Sequence, residues 1–557
     1  MKRFTQLYTE LDQTNRTNEK VAALESYFRE AAPADAAWAL HFLCGRKVPR
    51  AVTSTALREW AAAESALPAW LLDECYETVG DLAETIALIL PDTVGGLTLP
   101  LHQMVAERLL DLESLPLPAC RKLLAQTWRE LNANERFVWN KLLTGSFRVG
   151  VAQTLVERAL ASVAGVAQSA MAHRLMGLWK PREEDFLRLL SGAENDAGEI
   201  AKPFPFFLAS PTQDPTALGA ISDWQVEWKW DGIRAQIIRR QGEALIWSRG
   251  DEMITGSFPE IAAAATALPD GTVLDGEILA WTDAKPQPFG RLQLRLGRKS
   301  PSTKLQRDLP VVFVAYDVLE FAGEDWRARA LSERRSKLET AIAAAAAAPR
   351  AANEEDAQRD LFERLEPATQ RDFPLRISEI LHPVSWEELS HRRMESRARA
   401  VEGVMLKRLT SSYGTGRQRG DWWKWKIEPL TMDAVLIGAQ AGHGRRANLY
   451  TDYTFGVWHG GALVPVAKAY SGLTDEEILE VDKFVRGHTT GKFGPVRAVE
   501  AELVFELAFE GINESPRHKS GIAVRFPRIK RRRDDKKPED ADTLESLRAL
   551  LLQNNRG

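Results

Sequence analysis

The hydrophobic pattern of this chain changes near residue 200, and that change limits the possible folds more than any other feature. Over residues 1–200, apolar side chains recur at three- and four-residue spacing, as in KVAALESYFREAA (20–32), which is typical of amphipathic helices. From residue 222 onward, short runs such as VVFVAYDVLEF (311–321) are separated by Gly, Pro and Asp, which is typical of strands and turns. The stretch 201–220 between them is rich in Pro, Gly, Ser and Thr and predicts a domain boundary.

A second boundary is predicted after residue 428, where segments such as DAVLIGAQ (433–440) look like strands of a small barrel. Because 557 residues are too many for one hydrophobic core, we expect a multidomain protein. An alanine-rich insertion, residues 339–365, interrupts the middle part and is predicted to be a helical spacer. The expected fold is all-α over 1–200, α+β over 201–428, and a β-barrel with a C-terminal helix over 429–557.

The overall charge is nearly balanced, with 73 basic and 77 acidic residues and a net charge of −4. Any binding of nucleic acid is therefore expected to depend on local basic patches. The three cysteines, Cys44, Cys75 and Cys120, are widely spaced, which argues against a zinc ribbon or a disulfide framework. We also expect no signal peptide and no membrane span, and hence a cytoplasmic protein.

One lysine has an unusual setting, in the stretch VEWKWDGIRAQ (226–236). Lys229 lies between two tryptophans, and an Asp-Gly pair follows. Two interpretations are open: a surface lysine before a turn, or a nucleophile held in a shaped pocket. Lys-x-Asp-Gly alone is a weak pattern. The second interpretation is favoured by six further stretches in a fixed order: SRGDE (248–252), LDGEI (274–278), YDVLEF (316–321), EGVMLK (402–407), WWKWK (422–426) and RFPRIKRRRDDK (525–536).

This order and spacing resemble the covalent nucleotidyltransferase superfamily of DNA ligases, RNA ligases and mRNA capping enzymes. Within it, the chain is most similar over nearly its whole length to the ATP-dependent DNA ligases of the archaeal, eukaryotic and related bacterial type. The resemblance implies a DNA-binding first domain, an adenylyltransferase domain and an OB-fold. It also implies ATP and Mg²⁺ as cofactors, nicked duplex DNA as partner, a monomer, and a role in DNA repair, replication or recombination.

The resemblance implies three steps: Lys229 takes AMP from ATP, AMP passes to the 5′-phosphate of a nick, and the 3′-hydroxyl displaces AMP. The first step needs a neutral amine, whereas a free lysine has a pKa near ~10.4. Neighbouring cations, a metal or apolar walls would disfavour the charged form. Trp228 and Trp230 are candidate walls, although alternation along a strand would point both away from Lys229. Gly232 is expected to provide the turn that leaves Lys229 projecting from the strand end.

The same resemblance assigns contacts with the base of the nucleotide to Glu227, Tyr316 and residues 403–406. Glu227 would accept a hydrogen bond from the adenine amino group, which favours ATP over GTP because a carboxylate cannot pair with the guanine carbonyl. Tyr316 would stack on one face of the adenine and residues 403–406 on the other. Many family members carry Phe at the Tyr316 position. An ordinary core tyrosine is the alternative.

The remaining nucleotide contacts are also implied by the resemblance. Glu277 and Glu402 would serve the ribose and the divalent metal, since hard oxygen ligands suit Mg²⁺. A turn-end carboxylate without a ligand is the alternative for Glu277, and an amphipathic strand with snorkelling lysines is the alternative for WWKWK. Solvated loop positions are the alternative for Arg417 and Arg419. The basic contacts to ribose and phosphates are expected from Arg234, Arg249, Lys424 and Lys426, and from either Arg417 or Arg419.

Two further sets of residues are implied outside the pocket. Arg533, Asp535 and Lys536 match a motif that swings over the pocket during lysine adenylylation, with a generic polyanion patch as the alternative. The stretch KLLTGSFRVGVAQ (141–153) resembles the phosphate-contacting turn of the family's DNA-binding domain. There Gly145 and Gly150 would admit the DNA backbone and Arg148 would approach a phosphate, with an ordinary helix–helix turn as the alternative.

Two rival functions remain open from the sequence. An RNA ligase or a capping enzyme shares the pocket motifs, but the long helical first part counts against both. A nick-binding scaffold without catalysis would be free to lose Lys229, Glu277 or Lys424, and all are present. GHTTGKF (487–493) resembles a P-loop but has three residues between its glycines and ends in Phe, so it is rejected.

Overall fold

The computed structural model describes the chain except residues 94–97, 146, 148, 177–178, 192–201, 297, 299, 349–372, 443–447, 494–495, 516–517 and 556–557. The described residues form two compact units. The first contains a helical N-terminal part and a β-rich C-terminal part, and the second contains the region between them. The predicted division at residues 200 and 428 stays a prediction. The units comprise Met1–Met171, Trp179–Ala193 and Pro429–Gln553 in the first, and Ala172–Leu178, Glu194–Glu428 and Asn554–Gly557 in the second.

The N-terminal part is helical, as its periodicity predicts. The apolar stripes of the helices meet in a core that includes the fully buried Phe4, Leu40, Trp128 and Trp139. Its helices are α1 (Lys2–Gln13), α2 (Thr17–Glu30), α3 (Pro33–Leu43), α4 (Ser54–Ser65), α5 (Ala69–Val79), α6 (Leu82–Ile89), α7 (Leu101–Met104), α8 (Leu117–Glu130), α9 (Ala133–Leu143), α10 (Gln153–Ala164), α11 (Gln168–Leu175) and α12 (Glu183–Ser191). A π-helical segment, Val105–Leu110, continues α7.

The second unit consists mainly of strands. Its strands are β1 (Phe207–Leu208), β2 (Ser210–Pro211), β3 (Trp224–Trp230), β4 (Ile233–Arg240), β5 (Glu243–Ser248), β6 (Thr272–Thr282), β7 (Lys285–Pro286), β8 (Val311–Phe321), β9 (Glu324–Asp325), β10 (Leu375–Ile377), β11 (Ile380–Leu381), β12 (Val401–Arg408), β13 (Gly416–Arg417) and β14 (Trp422–Lys426). Its helices are α13 (Pro259–Ala265), α14 (Phe289–Leu292), α15 (Thr303–Asp308), α16 (Leu331–Ala347) and α17 (Trp386–Arg393).

Two larger sheets organise this unit. One has the strand order β11-β3-β12-β14-β2, and the other has the order β10-β8-β6-β4-β5, with β7 and β9 at its margins. Consecutive strands β3 and β4 therefore belong to different sheets, and the turn at Asp231-Gly232 passes between them. The predicted insertion 339–365 begins inside α16, and most of it lies outside the described residues.

The C-terminal part is β-rich. Its elements are β15 (Leu430–Ala441), β16 (Tyr450–His459), β17 (Ala462–Ala469), α18 (Asp475–Gly487), β18 (Thr489–Phe493), β19 (Val496–Val499), β20 (Val504–Phe509), β21 (Gly511–Glu514), β22 (Ile522–Arg525), β23 (Arg528–Arg532) and α19 (Leu544–Asn555).

The long strand β15 gives the C-terminal part its curvature. Residues 430–435 of β15 pair with β20, and residues 438–440 pair with β19. One edge of β15 therefore pairs with two different strands in succession, as in a curled barrel sheet. Buried residues such as Phe455, Phe505 and Leu507 form its core. This layout agrees with the expected OB-fold, and with it the predicted fold class is confirmed.

Candidate active site

Strand β3 separates charged and apolar side chains by simple alternation. Glu227 and Lys229 face the cleft between the two larger sheets. Trp228 lies on the opposite face, where it packs with Val226 and Val404 in an apolar cluster. The indole of Trp230 donates a hydrogen bond to Ser378 at 3.0 Å. Both tryptophans are nevertheless among the residues that line the cleft of Lys229, so their role as its walls stays a prediction.

A bulge in β12 brings a carboxylate to Lys229. Pairing of β12 with β3 shifts between Val401 and Val404, so Glu402 and Gly403 together oppose the single residue Lys229. Gly403 has φ +136°, and a Cβ there would stand 2.3 Å from the carbonyl oxygen of Trp425, so this position requires glycine. The bulge places the Glu402 carboxylate 2.5 Å from Lys229 Nζ and 3.2 Å from Lys426 Nζ.

Gly232 is required for close approach. A Cβ at this position would lie 2.2 Å from the carbonyl oxygen of Ile278 and 2.9 Å from Cγ of Glu277. The turn after Lys229 therefore lies directly against β6, which carries Glu277. Gly232 is expected from the sequence for its turn conformation, but the absence of a side chain is what the position needs.

Cross-strand register explains why several predicted residues meet. Met405 on β12 lies opposite Glu227 on β3 and opposite Lys424 on β14, so the three form one row across the sheet. Residues directly opposite in a sheet point to the same face. The adjacent row is formed in the same way by Gln225, Lys407 and Trp422.

Lys407 is a pocket residue that the sequence analysis quoted but did not assign. Its Nζ lies 2.9 Å from the Glu227 carboxylate, and the two side chains are only 2% and 1% exposed. The ammonium also lies 4.3 Å from the Tyr316 ring centroid and 4.7 Å from that of Trp422. Gln225 donates a second hydrogen bond to Glu227 at 2.6 Å. The sequence did hold one signal for Lys407: it lies two residues after Met405 on the same strand, so both side chains point to the same face of the sheet.

The facing wall of the cleft comes from the other sheet. Arg234 on β4 pairs directly with Glu277 on β6. The register of β6 and β8 shifts at Tyr316, so this residue is the extra one in a bulge, and its ring lines the cleft. Burial raises the pKa of the Glu277 carboxyl to about 7, although Lys229 and Arg234 oppose the shift. The site therefore holds a carboxyl group that has few compensating charges.

Arg234 is already engaged by the protein. Its guanidinium donates to Asp275 at 2.7 and 3.2 Å and to the carbonyl oxygen of Phe207 at 2.7 Å. Tyr413 donates its hydroxyl to the same Asp275 at 2.7 Å. These contacts fix the wall that carries Glu277. Neither Asp275 nor Tyr413 is predicted from the sequence as a site residue, although Asp275 lies within the stretch 274–278.

The cleft gathers most of the predicted nucleotide contacts. Arg417 lines it, whereas Arg419 is exposed and lies outside the lining set. Burial lowers the pKa of Lys424, and the charges of Lys229 and Arg417 lower it further. The predicted residues that line the cleft are Glu227, Lys229, Arg234, Arg249, Glu277, Tyr316, Arg417 and Lys424. Glu402 joins this set through its ion pair with Lys229, and Lys426 joins it through its ion pair with Glu402.

Three family models match the chain. They are the ATP-dependent DNA ligase domain over residues 206–426, the DNA ligase N terminus over 1–161, and the ATP-dependent DNA ligase C-terminal region over 446–536. A probable DNA ligase of Koribacter versatilis is 34% identical over 96% of this chain and 93% of its own length. The chain belongs to the ATP-dependent DNA ligase family.

Two further comparisons agree. A DNA ligase of Natronomonas pharaonis is 30% identical over 74% of this chain and 70% of its own length. The solved structure of Pmar-Lig_PreS3 has a TM-score of 0.59 at 15% identity, covering 95% of this chain and 99% of that one, which shows the shared fold. Family membership confirms the predicted ATP-dependent ligase activity on nicked DNA through an adenylylated intermediate, with ATP and Mg²⁺ as cofactors.

The donors in the ligase cleft fit a hard divalent cation. Glu277 supplies a buried carboxyl with a raised pKa, which a nearby cation would favour in its ionised form. Burial also raises the pKa of Glu402, but Lys229 and Lys426 outweigh that effect, and the pKa lies below its usual value. Carboxylates of this kind, completed by phosphate oxygens, are the usual ligands of Mg²⁺ in nucleotide sites.

The turn predicted to contact DNA lies between α9 and α10. Gly145 and Gly150 both have positive φ, +65° and +62°, as a tight turn requires. Lys20 on α2 is 7% exposed, and its Nζ donates to the carbonyl oxygens of Val149 at 3.1 Å and Gly150 at 2.9 Å. These hydrogen bonds from Lys20 are not predicted from the sequence, because Lys20 lies about 130 residues before the turn in the chain. Arg148 lies outside the described residues.

The C-terminal motif forms a charge cluster inside the β-rich part. Arg533 binds both carboxylate oxygens of Asp433 at 3.0 Å, and Lys536 binds the same carboxylate at 2.7 Å. Asp535 accepts a hydrogen bond from Arg533 at 2.7 Å, and this contact holds the pKa of Asp535 below its usual range. Asp433 at the start of β15 thus anchors the segment that follows β23. Among the described helices of the whole chain, none is long and apolar enough to cross a membrane.

Proposed function

We propose that Lys229 is the residue that accepts AMP, and that the cleft around it binds ATP. The observation that carries this assignment is the position of Lys229 at the end of β3, in a cleft shared with Glu277 and Lys424 and within 2.5 Å of Glu402. The amine must lose its proton before its nitrogen bonds to the α-phosphorus and pyrophosphate leaves. The Glu402 carboxylate contacts Lys229 Nζ directly, and Lys424 lines the same cleft.

The base and the ribose are assigned to the inner end of the cleft. Glu227 is bound by Lys407 and Gln225, and a carboxylate can accept further hydrogen bonds, so the adenine amino group is a suitable additional donor. Tyr316 and Met405 line the same cleft and would pack against the two faces of the base. Arg249 and Arg417 supply positive charge for ribose and phosphate oxygens. Arg234 acts mainly by holding the wall, since most of its donors already bind Asp275, Phe207 and Tyr413.

Glu277 and Glu402 are the residues that would hold Mg²⁺. A bound Mg²⁺ ion supplies neutralisation of phosphate charge and polarises the phosphorus for attack. Lys424 and Lys426 then stabilise negative charge that develops on the α-phosphate oxygens. This division leaves the carboxylates to position the cation and the lysines to act on the phosphate itself.

The remaining assignments concern the whole molecule. We assign DNA binding to residues 1–200, adenylylation to 201–428, and an OB-fold to 429–557. Arg533, Asp535 and Lys536 orient the pyrophosphate leaving group when the last domain closes over the cleft. The protein acts as a cytoplasmic monomer on nicks in duplex DNA.

The assignment of Lys229 is tested with purified protein, Mg²⁺ and ATP labelled at the α-phosphate. We expect label on the wild-type chain in a denaturing gel, none on Lys229→Ala, and full label on Lys304→Ala, which removes an exposed lysine of α15 in the same unit. Unlabelled nicked DNA added next should remove the label as the nick is sealed. Equal labelling of Lys229→Ala would assign the adenylate to another residue.

Two other results would lead to a different assignment of function. Label that stays on the protein with nicked DNA but leaves with nicked RNA would indicate an RNA ligase. Failure of the wild-type chain to take up any label, while it still binds nicked duplex, would indicate a scaffold without catalysis.

A further inference from the structure

A second turn in the helical part has the same layout as the turn predicted to contact DNA. Helix α3 ends at Leu43, Gly45 follows with φ +76°, and α4 begins at Ser54. Helix α9 ends at Leu143, Gly145 follows with φ +65°, and α10 begins at Gln153. In each case the glycine N–H closes the helix, at 2.9 Å to Phe42 O in the first and 3.2 Å to Leu142 O in the second.

The two turns lie against each other. Arg50 donates from Nη2 to the carbonyl oxygen of Thr144 at 3.2 Å. Cδ of Lys47 lies 3.8 Å from the position of a Cβ on Gly145. A small cavity between the turns is lined by residues of both, including Lys47 and Phe147. We call residues 45–50 and the described residues of 144–150 the paired-turn surface.

The charged residues of the paired-turn surface are basic. Residues 36–58 contain no Asp or Glu, and neither do residues 136–156, although the chain as a whole has slightly more acidic than basic residues. The first turn carries Arg46, Lys47 and Arg50. Arg46 is stacked 4.6 Å from the Trp179 ring centroid, whereas Lys47 and Arg50 are exposed. A net charge of −4 for the molecule makes such a local excess of positive charge informative.

We propose that the paired-turn surface is one composite site for the phosphate backbone of duplex DNA, in which Lys47 and Arg50 contact phosphates. The inference rests on the proposed DNA-binding role of the helical part and extends it to a turn that no sequence motif indicated. Two glycine turns side by side present backbone that a polyanion can approach closely, and exposed cations beside them neutralise phosphates without reading bases. Binding there is independent of base sequence and strongly dependent on salt.

The experiment measures binding of the full-length chain to a fluorescent nicked duplex over a range of salt concentrations. Lys47→Gln/Arg50→Gln is compared with Arg121→Gln/Lys122→Gln, which makes the same charge change at exposed positions of α8. Loss of two phosphate contacts should reduce the slope of log K against log salt by about 1.8 and weaken binding about tenfold or more near 0.1 M salt. The α8 variant should keep the wild-type slope.

A single variant separates contact from folding. Lys47→Gln leaves the Arg50–Thr144 hydrogen bond in place, and its slope should fall by about 0.9. A wild-type slope for Lys47→Gln/Arg50→Gln would overturn the proposal, and so would an equal loss in the α8 variant, because that would indicate the general field alone. Lysine labelling by ATP, measured on the same samples, should be unchanged in all variants. A wild type that takes up no label would contradict the proposed catalysis. The slopes of log K against log salt test the proposed DNA site separately.

Discussion

The cleft around Lys229 and the paired-turn surface both contain lysine and arginine side chains, but the two regions hold these charges differently. In the cleft, Lys407 is paired with Glu227 and Arg234 with Asp275, and all four side chains are largely removed from water. On the paired-turn surface, Lys47 and Arg50 are exposed, and both Arg50 and the neighbouring Lys20 bind carbonyl oxygens instead of carboxylates. Buried pairs fix a shape for one small ligand, whereas exposed cations remain available to a long polyanion.

The difference also determines what happens when one charge is removed. A buried ion pair contributes little net stability but becomes costly when only one partner remains, because the other charge is left without compensation. An exposed cation can be removed with little effect on the fold, and the loss is seen only when the ligand binds. Removal of a charge in the cleft should therefore lower the free energy of unfolding. Removal of a charge on the paired-turn surface should instead change the salt dependence of DNA binding.

The largest effect is expected when Lys407 is changed. Lys407→Met leaves Glu227 buried without its ion-pair partner, so the free energy of unfolding should fall by about 3–5 kcal/mol. The double variant Glu227→Gln/Lys407→Met should recover most of that loss, because no charge then remains unpaired. Urea unfolding followed by tryptophan fluorescence measures both.

Lys304→Met, at an exposed position of α15, is the matched control and should change stability by less than about 0.5 kcal/mol. Equal destabilisation of the single and double Lys407 variants would mean that Lys407 stabilises the cleft by packing on Tyr316 and Trp422 rather than by charge. ATP should no longer raise the melting temperature of the double variant, since the side chain assigned to the adenine has changed.

A smaller effect is expected from pH acting on Glu277. Burial raises its pKa from 4.5 to about 7, so between these values the folded protein holds a proton that the unfolded chain has released. Stability from this group is therefore greatest at low pH and falls as the pH rises from 4.5 to 7. Without ATP and Mg²⁺, the melting temperature of the wild type should fall by roughly 4 °C relative to Glu277→Gln between pH 5 and 7.5.

Glu243→Gln provides the comparison for this pH effect, because Glu243 is an exposed residue of β5 in the same unit. Its melting curve should follow the wild type at every pH. Parallel curves for the wild type and Glu277→Gln would show that the carboxyl is ionised throughout, and that the cleft compensates its charge.

The contrast between the two regions explains how much the sequence could predict. The cleft residues lie at fixed positions on strands, so short stretches such as LDGEI and WWKWK were enough to predict that Glu277 and Lys424 lie in one cleft. Lys407 and Asp275 lay inside quoted stretches, and strand alternation or register was needed to recognise them. Tyr413 and its hydrogen bond to Asp275 could not be predicted, since the two residues meet only in the folded sheets.

The helical part was harder to predict in detail. Its fold class followed from periodicity, and the turn at 141–153 followed from resemblance. The turn at 45–50 lies about a hundred residues earlier, and its packing against Thr144 is a tertiary contact that no local pattern encodes. The same holds for Lys20, which reaches Gly150 from another helix.

The smallest effect is expected at Lys20, and it distinguishes support of the turn from contact with DNA. Lys20→Met removes the donor to Val149 O and Gly150 O, which should loosen the turn and weaken DNA binding about fivefold, or ~1 kcal/mol. Because Lys20 binds carbonyl oxygens and not phosphates, the slope of log K against log salt should stay at the wild-type value. Lys2→Met, at an exposed position of α1, removes the same charge without a carbonyl contact and should bind as the wild type does. A reduced slope in Lys20→Met would show that this ammonium reaches a phosphate, and the paired-turn surface would then include α2.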